Sequence, residues 1–434
     1  MKQGLQFDFE WLASGPIDAS ERVDLAELSI SVNGKLATEL EDIFAKTVRS
    51  TARVSAHDLA LWLAANWWRL RWEPQRDSLS WKMSHQIGAV GGGYTWPDLS
   101  FFSDGDFMLL VGRPSSNWNG ASVRYLHAFE EIIGSGEFEQ GIDRYIEAVL
   151  ERMSSLAHAK SVLADLWAEI CEERRAPEQA AWRKLEALLG YDAGEAPAGV
   201  IEALQGMTTS VGRGAIEEIA AASQDIALDH IKALLARQGE AIAATVPGRD
   251  SLRQKIKQIS HAQLPWQQAE QAAGLVRNEW GLSADEPIAN KVLSDRLGIP
   301  LALLADADIA ANYPLAAGFR EEAARGRLKV MLTKRSLTGR RFELTRLIGD
   351  DLAAQATESL LPATHAKTSR QKFQRAFAQE LLCPYAALDQ FFGSASPEDD
   401  AMEEAAAHFE VSPLLVETTL VNRGRLPRSE LAQG

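Results

Sequence analysis

The hydrophobic period changes part-way along this chain, and that change restricts the fold more than any other feature. In the first third, strand signals prevail. "ELSISVNG" (27–34) alternates apolar with polar residues and ends in the turn pair Asn33-Gly34. "LSFFSDGDFMLLVG" (99–112) reads as two strands around a turn at Ser103–Asp106, and "ASVRYLHAFEEII" as a further strand or a helix. From residue 137 the spacing becomes helical, in "FEQGIDRYIEAVLERM", "SVLADLWAEICEERR" and "PEQAAWRKLEALLG", with Pro177 where a first helical turn tolerates it. Strands followed by helices predict an α+β chain.

Within the first third, "SAHDLALWLAANWWRLRWEP" (55–74) predicts one helix, started by a capping box at Ser55 and Asp58 and stopped by Pro74. Leu59, Leu63, Asn66 and Leu70 share one side of its wheel, with Leu61, Trp68 and Trp72 opposite, so it is expected to be buried on both sides. The tryptophans concentrated here predict a Trp-rich core rather than a ligand pocket. "GGGYTWP" (91–97) lacks the Lys-Ser/Thr of a phosphate-binding loop and reads as a tight loop beside a strand. His85, close to it, is expected to be packed or solvated.

At 434 residues the chain is long for one core and divides naturally into a mixed α+β Trp-rich domain (1–136), a helical middle domain (137–262) and a mainly helical domain with a small sheet (263–434). Breaks rich in Gly, Pro and Ala fall at 190–199 and 244–251. No run of about 18 apolar residues occurs, and Asp8 and Glu10 stand where a signal peptide needs an apolar core, so the cytoplasm is the expected compartment. Cys171 and Cys383 are far apart with no CxxC partner, which argues against a disulfide framework or a cysteine zinc site. A net charge of −15 repels nucleic acid, leaving only local basic stretches, Arg69–Arg76 and Lys334–Arg346, for such contacts.

The C-terminal order is distinctive: two helices ("PWQQAEQAAGLVRNEWGL" and "DEPIANKVLSDRLGIP"), two short strands around "EEAARG", a helix "RRFELTRLIGDDL" (340–352), the loop "LLPATHAKT", and a helix "SRQKFQRAFAQELLCP" capped at Ser369. Three features, in this order and spacing, carry a resemblance. These are the basic pair and Phe at Arg340-Arg341-Phe342, "FAQELLCP" (377–384), and "HFEVSPLLVETTLVNRG" (408–424), in which "VS" introduces a short helix. Residues 263–434 thereby resemble the C-terminal domain of the ImmA/IrrE family of bacterial zinc metallopeptidases, formerly domain of unknown function 955, and the resemblance implies a zincin-like fold there.

In active members the helix after the basic-Phe start carries His-Glu-x-x-His. Its i,i+4 spacing sets two imidazoles on one helix face, and the Glu serves as general base on the zinc-bound water. A third ligand, usually Glu, opens the next helix six residues before its Phe. Here these positions hold Arg346, Leu347, Asp350 and Gln371. Arg cannot ligate a cation, Leu cannot accept a proton, and Gln is a poor zinc ligand. No cofactor or metal ion is therefore expected, and Arg346 and Asp350, four apart, are expected either to pair across the old metal face or to face water.

Leu344, Ile348 and Leu352 form the opposite, core-facing stripe, and the buried part is expected to end before Gln355. A rearranged site would draw on His365, Asp350, Asp351 and Glu380, with Arg341 also at the cleft. Phe373, Phe377 and Leu381 should build core, Cys383 should be an inert buried thiol, and His408 should be structural. The resemblance implies a non-catalytic regulator that binds a protein partner, in bacterial stress, mobile-element, toxin–antitoxin or phage-defence regulation. The alternatives are an active metallopeptidase with a rearranged site, an activity in residues 1–135, or a DNA-binding regulator using "VSPLLVETTLVNRGRL". No membrane association is expected.

Overall fold

The computed structural model describes residues 4–12, 24–115, 122–155, 161–223, 226–283, 285–306, 313–320, 327–394 and 397–427. It is a mixed α+β structure. The chain divides into two compact units, Met1–Ile201 and Glu202–Gly434. No helix among the described residues is long and apolar enough to cross a membrane.

The first unit carries the predicted strands. Leu25–Val32 pairs antiparallel with Leu5–Trp11 and Ala52–Ser55, and turns through Asn33 (φ 49°) and Gly34 (φ 82°) into Lys35–Leu36. Both turn residues are left-handed, the geometry that the Asn-Gly pair favours in a two-residue hairpin. Asp98–Ser103 and Phe107–Arg113 form the second hairpin, and "ASVRYLHAFEEII" resolves into two strands, Val123–Tyr125 and Phe129–Gly134.

The expected single helix 55–74 is two, Ala56–Ala65 and Trp67–Trp72. The Asn66 side chain donates to the Trp62 carbonyl, 2.8 Å, and its backbone leaves helical geometry (φ −102°, ψ 8°). Such local side-chain bonding competes with helix propagation. The wheel therefore does not run through the whole stretch: Leu59, Leu63, Trp67, Trp68 and Leu70 are buried, while Leu61, Trp62 and Trp72 are half-buried. Trp67, Trp68, Trp81 and Trp96 are core residues.

Residues 137–262 form no third domain. Phe138, Ile142, Tyr145, Ile146 and Val149 of the helix Ser135–Ser155, with Trp167 and Ile170 of the next, join the core of the N-terminal strands. Ala244, Val246, Leu252 and Ile256 belong instead to the core of the second unit.

In the second unit, Ala316–Arg320 and Arg327–Met331 pair antiparallel, while the intervening "EEAARG" lies outside the described residues. Two further strands complete the sheet. Ile242–Thr245 adds beside Arg327–Met331, and Leu360–Ala363, read as loop, adds beside Ala316–Arg320, giving edges at both. Pro362 sits in an edge strand, where a missing N–H is tolerated.

The helix Leu337–Ala353 starts at Ser336, whose side chain accepts from Gly339 N, and ends before the exposed Gln355. It crosses Ser369–Leu382, whose N-cap is Thr368 rather than Ser369: the Thr368 hydroxyl accepts from Gln371 N. The two helices meet at Gly349, where an added Cβ would stand 2.5 Å from Phe377 Cδ1 and 2.7 Å from Cγ. Phe377 is fully buried and its ring cannot yield. Gly349→Ala should gain about 1 kcal/mol of helix propensity but lose about 2–3 kcal/mol to overpacking. A net fall in the thermal midpoint is expected by circular dichroism, and a rise would contradict this packing.

Candidate functional site

The helix Leu337–Ala353 is buried almost all round, charged residues included. Arg346 is 9% exposed, and its Nη2 alone holds its contacts: the Thr364 carbonyl at 2.7 Å, Gln371 Oε1 at 2.5 Å and Gln374 Oε1 at 3.2 Å. Gln371 also accepts from Thr364 N, 2.8 Å, and both glutamines donate to the Pro362 carbonyl, 3.0 Å each. The edge strand and the second helix are thus sewn to Arg346 through neutral groups. Burial and the nearby Arg375 guanidinium pull Arg346 down to about 10, so it stays charged at neutral pH.

The expected Arg346–Asp350 pair does not form, and neither residue faces water. Both Asp350 oxygens accept from Arg370, at 2.8 Å each, in a two-pronged contact from the second helix. A fork presented from across the helix pair satisfies both carboxylate oxygens at once, which Arg346, one turn away on the same helix, does not.

Arg370 gathers further carboxylates. Its Nη1 lies 3.5 Å from Glu358, whose two oxygens accept from Gly214 N (2.9 Å) and Ala215 N (2.8 Å). Those amides open the helix Arg213–Ser223, so Glu358 also meets the positive end of its dipole. The approach needs glycine: at Gly212 (φ +95°) a Cβ would stand 2.7 Å from Glu358 Oε2. Glu218, on the same helix, accepts from the Thr368 hydroxyl at 2.7 Å. Burial raises Glu218, only partly offset by Arg370. Burial lowers Arg370, but Asp350, with Glu218 and Glu358 behind it, outweighs that and holds the guanidinium above its ordinary value.

The remaining predicted positions separate. Leu347 is fully buried in the apolar core with Leu344, Ile348 and Leu352. Arg341 is no cleft residue: it is 1% exposed and donates to Asn290 Oδ1 (2.8 Å), Glu410 Oε2 (2.5 Å) and the Ile288 carbonyl (2.6 Å). Arg340 likewise serves the Leu303, Asp306 and Arg335 carbonyls.

Asp351 is taken by Arg249 (2.6 and 2.8 Å) and Arg320 (2.7 Å), and Arg320 with Arg253 also serves the carbonyls that end the helix. His365 is exposed. Glu380 is half-buried, accepts from Tyr385 N at 3.2 Å, and is raised by burial. Cys383 is fully buried, and burial pushes its thiol up to about 12, which suits an inert thiol. His408 is exposed, with its ring 5.5 Å from Phe391 and 4.8 Å from Phe409.

The donors do not fit zinc. Among the described residues, no three His, Cys, Asp or Glu side chains stand together in a way that could hold a metal ion. Of the positions that the resemblance assigns to ligands, Arg346 presents a guanidinium and the Asp350 carboxylate is taken up by Arg370. Comparison with protein-family models, with curated proteins and with solved structures gives no match.

Of the basic stretches, Arg69, Arg71, Arg340, Arg341 and Arg346 are buried, Arg76 is half-buried, and Lys334 and Arg335 are exposed. In the first unit, His85 is fully buried and stacked on Trp81, with Nδ1 2.9 Å from the Trp81 carbonyl and Nε2 3.2 Å from that of Arg69. Burial drives it down to about 3. The loop "GGGYTWP" turns through three left-handed glycines, Gly91, Gly92 and Gly93, just before the strand at Asp98.

Proposed function

We propose that residues 263–434 keep the helix arrangement of an ImmA/IrrE-type peptidase without its chemistry, and that the protein is a non-catalytic regulator that binds a protein partner. The roles this reading favours are bacterial stress responses, mobile-element control, toxin–antitoxin regulation and phage defence. One observation carries it. Arg346 and Gln371, which occupy the first and third ligand positions, are 25 residues apart and in direct contact at 2.5 Å. Two helices that bring those positions together suit a metal cleft, and this chain fills the meeting point with a charge-to-amide contact. Arg346 cannot bind zinc, and Leu347 cannot take a proton from water.

The expected partner is one that peptidases of this kind cut. A tagged chain expressed in its own host should retain such a partner intact, as judged by mass spectrometry of the co-purified protein. Recovery of a partner cleaved at one site, with cleavage abolished by chelator, would overturn the non-catalytic reading.

A further inference from the structure

We propose that Arg346, with Arg375 near it, forms a binding site for an oxyanion, a carboxylate or phosphate group, at the loop Thr364–Thr368, which also carries Lys367. The buried arginines of the second unit show what is unusual here. Arg340, Arg341, Arg253 and Arg277 each use both terminal nitrogens on protein oxygens. Arg346 uses only Nη2, and only on neutral oxygens. Its Nε is sealed from solvent with no partner, as are those of Arg340 and Arg341, and its Nη1 makes no hydrogen bond to the protein.

Arg340, Arg253 and Arg277 also bond only to carbonyls, but their terminal nitrogens are all used; Arg346 keeps one terminal nitrogen, Nη1, for a further acceptor. The nearby carboxylates are engaged elsewhere. Asp350 is held by Arg370, Glu343 accepts from Thr333 and Lys334, and Glu218 accepts from Thr368.

The surrounding charge adds to this. Arg375 lies close enough to Arg346 to repel it, and its guanidinium donates to the Ala366 carbonyl, 3.1 Å, on the same loop. Lys367, exposed on that loop, feels Arg375 and Lys372 as like charges. Glu218 is the carboxylate that offsets Arg375, and burial favours its neutral form. A cluster of positive groups on a chain of net charge −15 draws small anions locally and repels metal cations. This inference stands on Arg346 and its neighbours and does not need the family likeness, so the two can fail separately.

The test is calorimetric titration of the full chain with inorganic phosphate and, separately, with acetate, at ionic strength fixed by sodium chloride. One anion per chain should bind saturably, with a dissociation constant of about 1 mM. Arg346→Gln should weaken it about tenfold or more with an unchanged circular dichroism spectrum. If that variant does not fold, Lys367→Gln, an exposed change, decides the matter with an expected loss of about threefold. Tighter phosphate assigns a phosphoryl group, and equal or tighter acetate assigns a carboxylate. No saturable binding of either anion, or unchanged affinity in the folded variants, overturns the site.

Discussion

Arg370→Met is expected to cost about 3–5 kcal/mol of stability. Methionine fills much of the same volume. It leaves Asp350, 1% exposed, without its two-pronged partner, and removes the nearest cation from Glu358 and Glu218, 6% and 7% exposed. Burying an unpaired carboxylate costs far more than the pair contributed, because no solvent replaces the lost donor. Urea unfolding followed by circular dichroism should show the transition of the second unit moving to lower denaturant. The double change Arg370→Met/Asp350→Leu should recover much of the loss, since an apolar pair leaves no orphaned charge. A loss below about 1 kcal/mol, the scale of a surface pair, would show that Arg370 does not hold this network together.

Asp351→Asn should cost about 3 kcal/mol at neutral pH, and its cost should depend on pH with a defined sign. Burial would raise the Asp351 carboxyl, but the bonds from Arg249 and the charge of Arg320 outweigh burial and hold it below the usual range. A depressed folded value means that the carboxylate stabilises fully above the unfolded value of about 4 and loses that contribution as pH falls through the folded one. The gap between wild type and Asp351→Asn should therefore be widest above about pH 5 and close as pH drops below about 4. Unfolding midpoints measured from pH 3 to pH 7 check this, and a gap that widened on acidification would refute it. Asp351 also fastens Arg249 and Arg320 beside the carbonyl end of the helix, where cations are favoured.

Local elements were legible in the sequence wherever one residue pattern decides the outcome. The Asn33-Gly34 turn, the hairpin around Ser103–Asp106, the proline-started helix Pro177–Leu189 and the Phe373, Phe377, Leu381 stripe all follow from short-range rules. The strands Ile242–Thr245 and Leu360–Ala363 did not, since four residues carry no period and Pro362 argues for a loop. Pairing partners far along the chain make them strands.

The same limit applies to the site. Arg346 and Gln371 were singled out through the proposed family resemblance, while Arg370, Gln374, Glu218 and Glu358 were not, because their partners lie 12 to 150 residues away. Arg346 and Asp350 share a helix face, yet each bonds to groups that only the tertiary fold delivers. The basic stretches divide for a related reason: Lys334 and Arg335 are exposed, while Arg69, Arg71, Arg340, Arg341 and Arg346 are buried. Clustered arginines look like a solvated face, but in helices buried on every side they satisfy carbonyls and carboxylates instead.

Zinc content, measured by elemental analysis on chelator-free preparations of the wild type and of the variant Arg346→His/Asp350→His/Gln371→Glu, tests the central claim most directly. With both proteins folded by circular dichroism, the account predicts less than about a tenth of a zinc per wild-type chain and close to one in the variant. Close to one zinc in the wild type, lost on Asp350→Ala or His365→Ala, would contradict it, as would a folded variant that holds none.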